Sequence, residues 1–236
     1  MRPTSTVRCS LRYGFDGSAL ALGIQKSHCY TSGMTKALKN IIFDFDGVLA
    51  DSFDVIHAIA QIYNPLVTRD DVVAHHDGNV YEEPVLKLTP AMTQDFRLQY
   101  RARISHSHMA DAISPIALLA QDYRLFIISS NDETGIKATL EAAGCLDLFV
   151  AILGYETHTS KVEKFKMCKL EYSVDLDETV FVTDTLGDIK EANKVGVRTI
   201  AVTFGFHPRE RLLPAAPYQI VDSWDEVLVC IDELTI

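Results

Sequence analysis

Residues 41–52 read Ile-Ile-Phe-Asp-Phe-Asp-Gly-Val-Leu-Ala-Asp-Ser. An apolar run ends in two aspartates, Asp44 and Asp46, followed at once by Gly47. Side chains two apart on a strand point to the same side. The pattern therefore places two carboxylates together at the exit of a buried strand. Clustered carboxylates repel one another and are costly to desolvate, so stability alone does not explain them. A bound cation does, and so does chemistry that uses one acid as nucleophile and the other as proton carrier.

Working outward, short apolar runs alternate with amphipathic segments. Ile41–Phe45, Leu125–Ser129, Phe149–Leu153, Thr179–Thr183, Arg198–Thr203 and a short edge at Tyr218–Val221 read as strands. Helices are expected from Glu133 to Ala143, stopped by Gly144, and over Lys161–Glu171, Asp188–Val195 and Trp224–Leu234. Continuous apolar strands separated by helices predict an α/β fold: a doubly wound parallel sheet with ligands at the carboxyl ends of its strands.

Residues 52–113 break the alternation and hold no convincing strand. Phe53, Ile56, Ile59, Ala60 and Tyr63 recur at helical spacing up to Asn64-Pro65, and Thr89-Pro90 opens a second helix. Ser114-Pro115 is expected to restart the core with a helix through Gln121. The predicted organisation is a core of residues 39–51 and 114–236, with 52–113 inserted as a helical lid. Residues 1–38 are Ser-, Thr- and Arg-rich and nearly free of acid, and read as a leader or upstream extension without fixed structure.

The net charge is −10. Residues 1–39 hold six Lys or Arg and one Asp, so the remainder carries −15. An acidic body argues against nucleic acid as a partner. No run approaches ~20 continuous apolar residues, which argues against a membrane span. Cys9, Cys29, Cys145, Cys168 and Cys230 are scattered and odd in number, as expected of free thiols in a reducing, cytoplasmic compartment.

Four stations lie at or just beyond the strand ends: Asp44 to Val48; Ile127 to Asn131; Ser160-Lys161; and Thr183 to Asp188. Phosphoryl transfer needs charge neutralisation and in-line positioning. Mg²⁺ takes oxygen ligands, which Asp44, Asp184 and the Asp46 carbonyl can supply. Asp44 can attack phosphorus, and Asp46 can protonate the leaving oxygen and then activate water. Ser129 and nearby amides can hold phosphate oxygens, and Lys161 adds positive charge. Asp188 can orient Lys161 or a metal-bound water.

This set resembles the haloacid dehalogenase superfamily of phosphohydrolases. Asp44–Val48 matches its Asp-x-Asp-Gly-Thr/Val motif, Ser129 its second, Lys161 its third, and Asp184 with Asp188 its fourth. The resemblance implies a Rossmann-like core with an inserted helical cap, Mg²⁺ held by Asp44, Asp46, Asp184 and Asp188, and an aspartyl-phosphate intermediate. It further implies Asp44, Asp46 and Lys161 as catalytic residues and Gly47, Ser129, Ser130 and Asn131 around the substrate. The segment 205–211 looks like that of phosphoglycolate-phosphatase-like members, whereas Lys161-Val162-Glu163-Lys164 departs from the Lys-Pro-x-Pro common there, which leaves Lys164 as a backup candidate for the third-motif lysine.

The expected function is hydrolysis of a small phosphorylated metabolite by a monomer or homodimer that engages neither nucleic acid nor membrane. A phosphomutase on the same core and a non-catalytic binding protein are the alternatives. Halide displacement does not need Asp46. His75 and His76 form a polar turn with Asp77, Gly78 and Asn79, facing either the ester or solvent, and Arg209 and Arg211 either meet an anionic substrate or belong to a solvated loop.

Overall fold

The computed structural model describes residues 37–82 and 87–235. Six strands form one sheet: β1 (Asn40–Phe43), β2 (Arg124–Ile128), β3 (Phe149–Leu153), β4 (Thr179–Thr183), β5 (Arg198–Val202) and β6 (Gln219–Val221). The order is β3-β2-β1-β4-β5-β6, and every pairing is parallel. The chain leaves β1 towards β2 on one side and returns to β4 on the other, so β1 and β4 flank the point where the winding reverses. Crevices for ligands open there, beyond the carboxyl ends of the strands.

The strands are apolar on both faces because both are covered. Ile41, Phe43, Leu125, Ile127, Val180 and Val182 face one core with α5 (Glu133–Ala142) and α8 (Trp224–Thr235). Ile42, Phe126, Ile128 and Phe181 face the other with α6 (Lys161–Glu171) and α7 (Leu186–Lys194). Each fully buried Val, Ile or Phe contributes about 1.5–3 kcal/mol. Leu38, assigned above to the leader, is 4% exposed and packs in the first core, because its apolar side chain extends the inward face of β1. The remaining leader reading, over residues 1–36, lies outside the described residues.

Between β1 and β2 lie α1 (Phe53–Tyr63), α2 (Arg69–His75), α3 (Pro90–Arg103) and α4 (Ala110–Leu119). Thr89 caps α3, its hydroxyl accepting from the Met92 amide at 3.3 Å. Helix α2 was not anticipated. Its signature was present: the Thr68 hydroxyl accepts from the Asp71 amide at 3.1 Å, and Asp71 accepts the Thr68 amide at 2.9 Å. Helix α4 starts at Ala110, not at Ser114-Pro115. Ala112, Ile116 and Leu119 present one buried face, and Pro115 sits inside the helix, where it removes one backbone donor.

Candidate active site

Asp44 and Asp184 follow β1 and β4, adjacent strands at the reversal point. With Asp188 they form a cluster in which one carboxylate oxygen from each lies within 4.8 Å of the others. Lys161 Nζ donates to Asp44 Oδ2 at 2.8 Å and to Asp188 Oδ2 at 2.7 Å. The Thr183 hydroxyl donates to the same Asp188 oxygen at 2.7 Å. The lysine is 1% exposed, and its place at the first residue of α6 is held by its own amide, which donates to Glu191 Oε1 at 3.0 Å.

Burial raises the Asp44 carboxyl well above its ordinary range, in spite of Lys161 and with Asp188 adding to the rise. Burial likewise pushes Asp184 up to about 8. For Asp188 burial is outweighed by Lys161, which holds its carboxyl below the usual range. Lys161 itself is raised: burial opposes its charge, and Asp188 and Asp44 overcome that. Two of the three acids thus hold one committed ammonium. Asp184 Oδ2 accepts the Phe206 amide at 2.7 Å, while its Oδ1 is buried with no partner among the described residues. An orphaned carboxylate oxygen in an acid cluster is what a hard divalent cation requires. The donor set therefore fits Mg²⁺.

Asp46 lies outside this cluster. Its Oδ1 accepts from the Ser52 hydroxyl at 2.6 Å and the Tyr100 hydroxyl at 2.5 Å, and its Oδ2 from Asn131 Nδ2 at 3.0 Å. Burial raises its pKa against these three donors. Its side chain is accordingly no part of the metal cluster, and only its carbonyl remains for that role. Gly47 has φ 73°, and a Cβ there would stand 1.9 Å from Asp184 Oδ2, so the turn after β1 needs glycine for both conformation and space.

At the end of β2, the Asn131 amide donates to Ser129 Oγ at 3.0 Å, which leaves the hydroxyl proton of Ser129 free to donate. A cavity of about 320 Å³ joins these stations. Asp44, Asp46, Ser129, Ser130, Asn131 and Lys161 line it from the core side. Ile56, His75, His76, Phe96 and Arg97 line it from the segment between β1 and β2.

That segment is tied to the core at several points. Gly187 donates its amide to the His76 carbonyl at 3.0 Å. Asn79 Nδ2 donates to Glu191 Oε1 at 3.3 Å, and Tyr81 donates to the Ser130 carbonyl. The Leu186 amide donates to His207 Nδ1 at 3.0 Å, so His207 Nε2 carries the proton and donates to the Val73 carbonyl at 2.9 Å. Burial lowers His75 and His76 to about 4, so both are neutral walls of the cavity.

The two arginines do not reach the site. Arg211 forms a two-pronged pair with Asp77, and Arg209 pairs with Asp222 at 2.8 Å. Thr183 opens the fourth station, whereas Tyr100, Arg97 and Glu191 had no site role assigned from the sequence. Arg97 stacks its guanidinium 3.4 Å from the centre of the Tyr155 ring.

A family model described as haloacid dehalogenase-like hydrolase matches residues 41–202. The chain belongs to this family. It is 28% identical over 211 residues to a phosphoglycolate phosphatase of Synechococcus elongatus, an alignment covering 84% of the chain and 99% of that relative. It is 22% identical over 215 residues to the pyrophosphatase PpaX of Listeria innocua, covering 84% and 98%. A haloacid dehalogenase-like hydrolase structure from Streptococcus pneumoniae superimposes with a TM-score of 0.68 at 20% identity, covering 82% of the chain and 98% of that structure. The doubly wound sheet expected from the strand pattern is thus the haloacid dehalogenase-like fold.

Proposed function

We propose that this protein is a Mg²⁺-dependent phosphatase that hydrolyses a small phosphorylated metabolite through an aspartyl-phosphate on Asp44. The observation that carries the reading is the division of labour between two acids two residues apart. Asp44 sits in the carboxylate cluster against Lys161, while Asp46 faces the same cavity from outside that cluster.

Asp44, Asp184 and Asp188, with the Asp46 carbonyl, would hold the cation. When bound it supplies charge neutralisation for the acids and the phosphoryl group. The residues supply the rest. A carboxylate oxygen of Asp44 attacks phosphorus, forming the acyl-phosphate bond as the ester P–O bond breaks. Asp46, whose raised pKa lets it carry a proton in this site, protonates the departing oxygen. Ionised Asp46 then takes a proton from water, the water oxygen attacks phosphorus, and the bond to Asp44 breaks to release inorganic phosphate. Lys161 holds Asp44 in place, and Asp188 holds Lys161.

Residues 52–113 act as the cap in this reading, closing the cavity over the ester and lending Tyr100 to Asp46. Buried free thiols at Cys145, Cys168 and Cys230 support a reducing, cytoplasmic setting. The test is phosphate release across sugar phosphates, nucleotides, phosphoglycolate and pyrophosphate, with and without Mg²⁺. The last two are included because relatives carry those names. Release that needs Mg²⁺ is expected; a folded protein that releases none from the whole panel would overturn the reading.

A further inference from the structure

Lys164 stands one turn after Lys161 on α6 and is fully buried. It touches neither Asp44 nor Asp188. Its Nζ donates to the Ser129 carbonyl at 2.5 Å. Burial, reinforced by Lys161, lowers its pKa to about 7. Its helix neighbours Phe165 and Cys168 pack into an apolar core, where an aliphatic residue avoids the cost of burying an amine. Packing alone does not account for a lysine here.

The Ser129 carbonyl belongs to a loop whose three successive carbonyls are all held from outside. Lys164 takes that of Ser129, the Tyr81 hydroxyl that of Ser130, and the Tyr155 amide that of Asn131, at 2.8 Å. In a trans peptide the carbonyl oxygen and the following N–H point in opposite directions. Drawing the Ser129 carbonyl towards Lys164 therefore turns the Ser130 N–H away from it. Ser130 lines the cavity beside Ser129 and Asp44, and among the described residues its amide has no recorded acceptor. The next two amides are already engaged: that of Asn131 by Ser129 Oγ, and that of Asp132 by Asn131 Oδ1 at 2.8 Å.

We propose that Lys164 is a positioning residue for the phosphate subsite: by anchoring the Ser129 carbonyl it aims the Ser130 amide, together with the Ser129 hydroxyl, at the phosphoryl oxygens. The proposal rests on the phosphatase reading above. It makes Lys164 distinct from Lys161, which is held by Asp44 and Asp188.

The test uses inorganic phosphate as the probe with Mg²⁺ present, read by the amide resonance of Ser130 and by competitive inhibition. In the wild type the Ser130 amide shifts on titration. Lys164→Met, similar in size but without a donor, weakens phosphate binding about tenfold, as for loss of one aligned hydrogen bond to a charged group, and blunts the Ser130 response. Lys164→Gln, which keeps a donor, recovers part of both. A lower melting temperature with unchanged phosphate affinity in Lys164→Met would make the residue merely structural and overturn the proposal. So would a wild-type Ser130 amide indifferent to phosphate that is nonetheless bound, a measurement that needs no variant to fold. If the wild type binds no phosphate at all, it is the phosphatase reading that fails.

Discussion

The Tyr100 hydroxyl donates to Asp46 Oδ1 at 2.5 Å across 54 residues of sequence. Helix α3 thereby reaches down to the acid that follows β1. The bond favours the ionised form of Asp46, while burial favours the protonated one. Removing the donor by Tyr100→Phe should raise the Asp46 pKa and move the pH optimum of kcat upward. The loss in rate should be about tenfold with an alkyl phosphate and smaller with p-nitrophenyl phosphate, whose leaving group needs no proton. Equal losses on both substrates with an unmoved pH profile would remove Tyr100 from this role.

Asp46→Asn tests the acid itself. The amide cannot transfer a proton, so kcat on an alkyl phosphate should fall by roughly two to four orders of magnitude. Steady-state rates on purified, folded variant decide it, and a near-normal value would be incompatible with Asp46 as proton carrier.

Asp44→Asn should abolish phosphate release while the metal-free protein melts no lower than wild type. Burial already disfavours the Asp44 charge, Asp188 adds to that, and Lys161 keeps Asp188 as its partner in the variant. Calorimetry alongside a turnover assay separates the two effects. Residual turnover would place the nucleophile elsewhere.

Gly47→Ala should be costly in two ways. The positive φ of 73° is strained for alanine, and the new Cβ would meet Asp184 Oδ2 at 1.9 Å and Phe206 Cδ1 at 2.8 Å. A loss of about 1–3 kcal/mol in denaturant unfolding is expected, together with weaker Mg²⁺ binding in a titration. A variant with wild-type metal affinity would show that Asp184 can move without consequence.

His76 predicts a pH dependence of stability. Burial lowers its folded pKa to about 4, while its Nδ1–H donates to the Val72 carbonyl at 2.8 Å. The unfolded value is about 6.5. Between these values the unfolded chain binds more protons, so this contribution is complete above about pH 6.5 and is lost as pH falls towards 4. The slope is at most about 1.4 kcal/mol per pH unit. Subtracting the curve of His76→Asn isolates it from the acids, and parallel curves would contradict it.

The parts of the fold that were legible in the sequence are those written in local pattern. Phe149–Leu153, Thr179–Thr183 and Lys161–Glu171 coincide with β3, β4 and α6 because apolar runs and a helical start mark their ends. The four stations were legible because a parallel sheet brings strand exits to one edge. Tyr100 was not, since it reads as one apolar point on α3 and only tertiary packing aims its hydroxyl at Asp46. Lys164 was legible only as a stand-in for Lys161, because its actual partner, the Ser129 carbonyl, lies 35 residues away and meets it only once α6 is docked. Arg209 and Arg211 stayed open between two readings for a related reason: their carboxylate partners, Asp222 and Asp77, lie 13 and 134 residues away.

Where α7 begins, Gly187 meets the turn after α2 so closely that a Cβ would stand 2.4 Å from the Gly78 carbonyl oxygen, and its amide reaches the His76 carbonyl. This contact is made by main-chain atoms on both sides. Side chains that shape the cavity from above, such as Ile56, Phe96 and Arg97, lie outside it. On the proposed phosphatase reading they can be exchanged to suit a different ester without changing how this edge of residues 52–113 seats. On that reading substrate choice and the docking of residues 52–113 are written in separate parts of the chain, which leaves the first open to redesign while the second stays in register.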